Sequence, residues 1–206
     1  MNLTDTGERI IPDNMKPSNQ MLLEHMARYQ FSYPYVKGRV LDVACGSGYG
    51  SQMTAKQSKR KIDEMVAVDL SEEAVTYARG RYYHPLISYK VHNAVDPELP
   101  EELGQFDCIL SFETYEHIAE EEVFLQNLYR LLKPGGTLLL STPFGQGRGK
   151  PSASPFHVHQ ITRQEFRELF DQYDYHKKEF YFQSGVLVEP YREQMNYQLG
   201  IAVCKK

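Results

Sequence analysis

Glu113, Glu116 and His117, in the run Glu-Thr-Tyr-Glu-His, place two carboxylates and an imidazole at i, i+3 and i+4. On a helical turn those positions face the same way, so three side chains able to bind a cation or move a proton would converge. Phe156-His157-Val158-His159 brings two more imidazoles just ahead of Thr162. An imidazole titrates near neutrality, which makes His117 and His159 the candidate general bases for taking a proton from an acceptor hydroxyl. The plainer alternatives are an imidazole that only fixes a loop at 117 and ordinary loop histidines at 157 and 159.

A second group is built for binding. Asp42-Val-Ala-Cys-Gly46-Ser-Gly48-Tyr-Gly50 combines an acid with three glycines, and glycine lets backbone amides approach a ligand that a Cβ would exclude. Asp69 follows Gly50 by nineteen residues, the interval at which an acid at the end of a second strand accepts both hydroxyls of a ribose. That arrangement serves NAD and S-adenosylmethionine alike. Asp42 separates them, because a carboxylate just ahead of the loop suits an ammonium group and repels a pyrophosphate.

These groups need a sheet to hold them. Short apolar runs at 40–44, 65–69, 87–92, 106–111 and 137–141 read as strands buried on both faces. Between them, Ser71 ahead of Glu72 and Glu73 caps one helix, and Glu120 to Glu122 open another with Phe124, Leu128, Leu131 and Leu132 on its apolar face. Thr162 and Glu165 form a capping box before Phe166, Leu169 and Phe170. Two runs at 179–183 and 198–204, with no helix needed between them, predict an appended antiparallel hairpin. The expected class is α/β: a Rossmann-like, seven-stranded, mostly parallel sheet with a C-terminal antiparallel hairpin and helices on both faces.

Five motifs occur in order: DVACGSGYG, VAVDLSEEAV, the Asn93-Ala94 pair, FDCILSFETYEH and LLKPGGTLLLSTP. In this the chain resembles the class I S-adenosylmethionine-dependent methyltransferases from about residue 40 onward. The resemblance implies that Asp42, Ala44, Gly46 and Gly48 hold the methionyl part of the cofactor and Asp69 the ribose. Leu70, Asn93 and Ala94 would meet the adenine on one side, Ser111 and Phe112 on the other. Ala44 stands where the family usually has its first glycine, which implies a slightly tighter fit, and Asn93 stands where aspartate is common. The E-x-x-E-H run with a later histidine resembles the metal-binding pattern of small-RNA 3′-end 2′-O-methyltransferases and, in part, of ubiquinone-biosynthesis O-methyltransferases. It implies Glu113, Glu116, His117 and His157 as ligands for magnesium, manganese, iron or zinc. Thr6 to Pro12 and Glu24-His25-x-x-Arg28-Tyr29 loosely resemble bacterial glycan-associated methyltransferases, with Arg9 or Arg28 as partners for a cofactor carboxylate or substrate phosphate, or else simply solvated.

Composition narrows the partners. The chain has 206 residues, 41% hydrophobic and 24% charged, with net charge −4. One domain is expected, with residues 1–36 as an N-terminal lid and helix and 37–206 as the core. The charge weighs against RNA and toward a small-molecule or glycan acceptor. The N-terminus carries Asp5 and Glu8 with no apolar leader, and no run is long enough for a bilayer, so a cytoplasmic protein without membrane partner is expected. Cys45, Cys108 and Cys204 are too scattered for a framework and read as free thiols. With fifteen Tyr and no Trp, Tyr29, Tyr49 and Tyr115 are expected to edge the pocket, and the segments 145–159 and 185–196 to close over the acceptor. The function expected is O-methylation of a sugar or glycan hydroxyl, with RNA 3′-end methylation, quinol or catechol methylation, and a non-catalytic cofactor-binding protein as alternatives.

Overall fold

The computed structural model describes residues 3–152 and 154–206. Five apolar runs pair in parallel: β1 (Gly38–Val43), β2 (Ile62–Asp69), β3 (Ile87–Val91), β4 (Phe106–Phe112) and β5 (Leu132–Pro143). Three more, β6 (Lys177–Ser184), β7 (Leu187–Pro190) and β8 (Leu199–Lys205), complete an eight-stranded sheet in the order β3-β2-β1-β4-β5-β8-β6-β7. β8 joins β5 antiparallel, and β6 pairs with β8. The hairpin expected at the C-terminus is therefore present, but the strand count is eight and not seven. The extra strand, β7, pairs only with β6 at the sheet's edge, where Pro190 sacrifices no interior ladder bond. Four residues ending in proline carry no strand periodicity, which is why the sequence reads there as an insertion.

Alternation within each strand sorts the helices onto two faces. Val40, Met65, Cys108 and Leu110 pack with Tyr29 and Ala55, of α1 (Gln20–Ser32) and α2 (Tyr49–Gln57). Ala67 of β2 packs with α3 (Glu72–Arg81). Leu41, Val43, Val66, Val68 and Ile109 point the other way, to α4 (Leu99–Leu103), α5 (Glu121–Leu131) and α6 (Arg163–Glu168). Both faces being covered explains the unbroken apolar runs. The caps form as the side chains require: Ser71 Oγ accepts from Ala74 N, and Thr162 and Glu165 make the reciprocal box. α5 ends at Leu131, so Leu132 belongs to β5. All three cysteines are buried and free.

β1 pairs with β2 on one side and β4 on the other, which makes the crevice beyond its carboxyl end the topological switch point of the sheet. α1 and α2 close together beside that crevice because Gly50 leaves room for the Tyr29 ring; a Cβ at 50 would overlap it. Gly50→Ala is therefore expected to cost about 1–3 kcal/mol by urea denaturation, and Tyr29→Ala in the same chain to remove most of that penalty.

Candidate functional site

A cavity of about 600 Å³ opens at the switch point. Its floor is Ala44, Cys45 and Gly46 after β1, Asp69 at the end of β2, and Phe112 and Glu113 at the end of β4. α1 contributes Met21, His25 and Tyr29, and a strap of N-terminal chain contributes Thr6, Glu8, Arg9 and Ile10. The strap is held firmly: Leu3 and Ile11 are buried with Ala74 and Tyr77 of α3, and Ser47 Oγ donates to Ile10 O at 2.8 Å. Asp13 accepts from Tyr77 Oη at 2.7 Å and pairs with Arg81.

The glycine loop is shaped by two different pressures. Gly46 has φ +56° and a Cβ there would meet no atom, so the backbone is bare toward the cavity. At Gly48, φ +86°, a Cβ would strike Ala78 and Tyr89, so that glycine serves packing against α3. Asp69 caps the loop, accepting from Gly46 N at 2.8 Å and Ser71 N at 2.9 Å. Ala44 (φ +56°) and Glu113 (φ +52°) are the non-glycine residues with left-handed backbone among the described residues. Each such conformation costs about 1–2 kcal/mol, and both occur at the cavity floor. Asp42 does not reach the cavity wall: it is buried, accepting from Ser51 Oγ at 2.6 Å and Tyr29 Oη at 3.3 Å, and burial pushes its pKa up to about 7. Leu70, Asn93, Ala94 and Ser111 also lie off the wall. Leu70 is exposed, Asn93 Oδ1 accepts from Val95 N, Ala94 packs on the core, and Ser111 is fully buried.

The acid and histidine cluster does not converge as the helical spacing predicts. After Glu113 the chain makes a short 3-10 turn, Tyr115–His117, which splays the three side chains. Glu113 turns to α1, its Oε2 3.4 Å from Arg28 Nη2 and 3.8 Å from His25 Nε2. Burial raises its pKa, with Arg28 opposing. Glu116 is buried and accepts from Thr142 Oγ1 at 3.0 Å; burial, then the neighbouring Glu113, pushes its pKa well up. His117 turns toward the strap. Its Nδ1 meets Phe156 O at 3.1 Å and its Nε2 lies 3.6 Å from Glu8 Oε2. His157 Nε2 lies 3.4 Å from Glu8 Oε1. Glu8, His117 and His157 bring their ligand atoms within 4.8 Å of one another. The four residues expected to hold a metal, Glu113, Glu116, His117 and His157, all line the cavity, and of them His117 and His157 bring their ligand atoms within 4.8 Å of Glu8. His159 leaves the site: its Nε2 meets Tyr115 O at 2.9 Å and its ring stacks on Tyr115. Tyr115 is fully buried against Glu121 and Arg148, so of the three tyrosines expected at the pocket only Tyr29 and Tyr49 line it.

Residues 41–140 match a family model described as a methyltransferase domain. A Mycolicibacterium smegmatis protein named "Probable S-adenosylmethionine-dependent methyltransferase" is 32% identical over 81% of this chain. The chain spans 63% of that relative's length. The ubiquinone biosynthesis O-methyltransferase of Xanthomonas oryzae is 37% identical over 50% of this chain and 42% of its own. Among solved structures, a methyltransferase from Archaeoglobus fulgidus superposes with TM-score 0.67 at 16% identity, covering 91% of this chain and 95% of that one. Residues 41–140 are therefore a methyltransferase domain, and over most of its length the chain is similar to proteins named as S-adenosylmethionine-dependent methyltransferases.

Two titratable residues of the cavity wall escaped the reading of spacing, Glu8 and His25. Both lie in N-terminal segments that draw attention by composition, yet no periodicity links residue 8 to 117 or residue 25 to 113. His25 is held neutral, its pKa pushed well down by burial and by Arg28; burial likewise lowers that of His157, against the pull of Glu8. Arg28 itself is buried, donating to Gln183 Oε1 at 2.8 Å, whereas Arg9 lines the cavity. The two segments expected as covers behave differently. Residues 145–159 lend Phe156 and His157 to the wall and are pinned by Arg148 to Glu121; residue 153 lies outside the described residues. Residues 185–196 contribute nothing to the wall and are used in the β6–β7 turn and the edge. No described helix is long and apolar enough to cross a membrane.

Asp42 makes the ligand-free domain sensitive to pH. Between an ordinary carboxylate pKa and about 7 the folded state holds a proton that the unfolded chain has released, so stability falls as pH rises through that window. The unfolding free energy from urea titrations is expected to decline from pH 5 to pH 8, by about a few kcal/mol at most for one such group, and Asp42→Asn to make that slope shallower, the buried Glu113 and Glu116 supplying the remainder.

Proposed function

We propose that the chain is an S-adenosylmethionine-dependent O-methyltransferase acting on a hydroxyl of a small polar acceptor, a sugar or glycan hydroxyl foremost. The observation that carries this reading is one cavity lined both by the glycine loop with Asp69 and by the imidazoles of His25, His117 and His157. The cofactor supplies a methyl group already activated on a sulfonium. Bare backbone at Gly46 and the carboxylate of Asp69 suit its loop and ribose contacts, while Asp42, off the wall, is assigned to holding Ser51 and Tyr29 behind the loop. Arg9 is the cavity cation suited to a carboxylate. Of the residues expected around the adenine, Phe112 is on the wall and is assigned to it. The Xanthomonas relative, an O-methyltransferase by name, supports an oxygen acceptor.

His25 is assigned the hydroxyl proton in preference to His117 and His159. It lines the cavity as a neutral imidazole, with the Glu113 carboxylate 3.8 Å away to stabilise the imidazolium. His117 already faces Glu8, and His159 is off the wall. Most of the acceleration is assigned to alignment of acceptor and methyl group.

Asp69→Ala is expected to abolish S-adenosylhomocysteine binding by calorimetry; unaltered affinity removes the ribose assignment. Mass analysis after incubation with methyl glycosides, catechol and a short RNA is expected to find the added methyl on the glycoside, and transfer to catechol or RNA alone reassigns the acceptor class. With that acceptor, His25→Gln is expected to lower kcat by about 10²–10⁴ at unchanged S-adenosylhomocysteine affinity.

A further inference from the structure

We propose that Glu8, His117 and His157 form a site for a first-row divalent transition metal ion, zinc foremost, that fastens the N-terminal strap across the cavity. The three come from separate parts of the chain: the strap, the turn after β4, and the loop before α6. Chain connectivity gives them no reason to meet, yet the carboxylate of Glu8 stands between the two imidazoles, Oε2 3.6 Å from His117 Nε2 and Oε1 3.4 Å from His157 Nε2, with one ligand atom from each residue within 4.8 Å of the others. Ligand atoms bound tetrahedrally at about 2.0–2.2 Å stand roughly 3.4 Å apart, so a small closure of this cluster seats one ion.

Supporting contacts orient the donors. His117 Nδ1 lies 3.1 Å from Phe156 O; a proton on Nδ1 leaves the Nε2 lone pair facing Glu8, the arrangement in which a metal-bound histidine is fixed through its other nitrogen. Ser154 Oγ donates to Glu8 Oε1 at 2.6 Å and accepts from Phe156 N at 3.2 Å. The loop that carries His157 thus also aims the carboxylate. The two rings meet edge to face with centroids 5.0 Å apart, which leaves space between their nitrogens. Two imidazoles and one carboxylate favour zinc, iron or manganese over magnesium. All three residues line the cavity, so an ion held by them would sit at its wall. The strap is otherwise tied by Thr4 to Glu73, by Ile10 O to Ser47 Oγ and by Asp13 to Arg81, and at Glu8 by the single hydrogen bond from Ser154. A metal at Glu8 would add coordinate bonds where that one hydrogen bond now holds the side chain.

The test uses the full chain stripped with a chelator and titrated by calorimetry with zinc, manganese and magnesium sulfates, with elemental analysis of the zinc-loaded protein. One zinc per chain is expected, held more tightly than magnesium. Glu8→Gln and His157→Asn should each weaken zinc at least about tenfold with thermal melting unchanged, while Glu113→Gln leaves zinc affinity as it was. Amide hydrogen exchange across residues 7–11 should slow on adding zinc to the original chain and not to Glu8→Gln. Absence of stoichiometric zinc, or equal affinity in Glu8→Gln, overturns the site. A loss in Glu113→Gln as large as in Glu8→Gln overturns this ligand set, and unchanged exchange in the strap overturns the fastening. S-adenosylhomocysteine binding by the metal-free chain tests the methyltransferase reading separately, so the two can fail independently.

Discussion

Parallel pairing of β1 with β2 on one side and with β4 on the other obliges the chain to leave all three strands at the same edge of the sheet. Everything at the site follows from that constraint. The exits must turn sharply, and two of them do so through left-handed backbone at residues that are not glycine, Ala44 and Glu113. Strain of this kind persists only where surrounding structure over-determines it. Here the surroundings are a sheet buried on both faces and a strap pressed down from above.

The strain at Glu113 has a consequence for charge. It directs a carboxylate to α1, where Arg28 is buried and would otherwise lack a countercharge. The same guanidinium, with burial, keeps His25 neutral. Acid, base and cation are thereby arranged beside the crevice by one backbone conformation and one helix. In the same cavity a second set, Glu8, His117 and His157, is assembled from loops. One polar group is thus scaffolded by a helix and the other is brought together by the strap.

Much of the frame was legible in order along the chain. Apolar runs between capped helices specify strands covered on both faces, and the C-terminal runs without an intervening helix specify the antiparallel end. The glycine loop and Asp69 were legible because their interval is set by the length of one strand, one helix and the next strand. The edge strand β7 was not, since four residues with a terminal proline leave no period to read. The cluster at 113–117 misled because helical spacing was assumed where the chain makes a 3-10 turn. That difference gives each side chain its own partners, Arg28 for Glu113, Thr142 for Glu116 and Phe156 O for His117, although all three still line the cavity.

Local pattern, then, determined the α/β class, the position of the cofactor loop and the identity of the chemically capable residues, because those depend on interactions within a few turns of chain. Tertiary structure decided which of them share a wall. Asp42 was withdrawn behind Tyr29, His159 was stacked away on Tyr115, and Glu8 and His25 were brought in from segments more than 80 residues distant from their partners. Such meetings are governed by how helices and straps pack on a sheet, and packing at long range leaves no trace in the spacing of residues along one element.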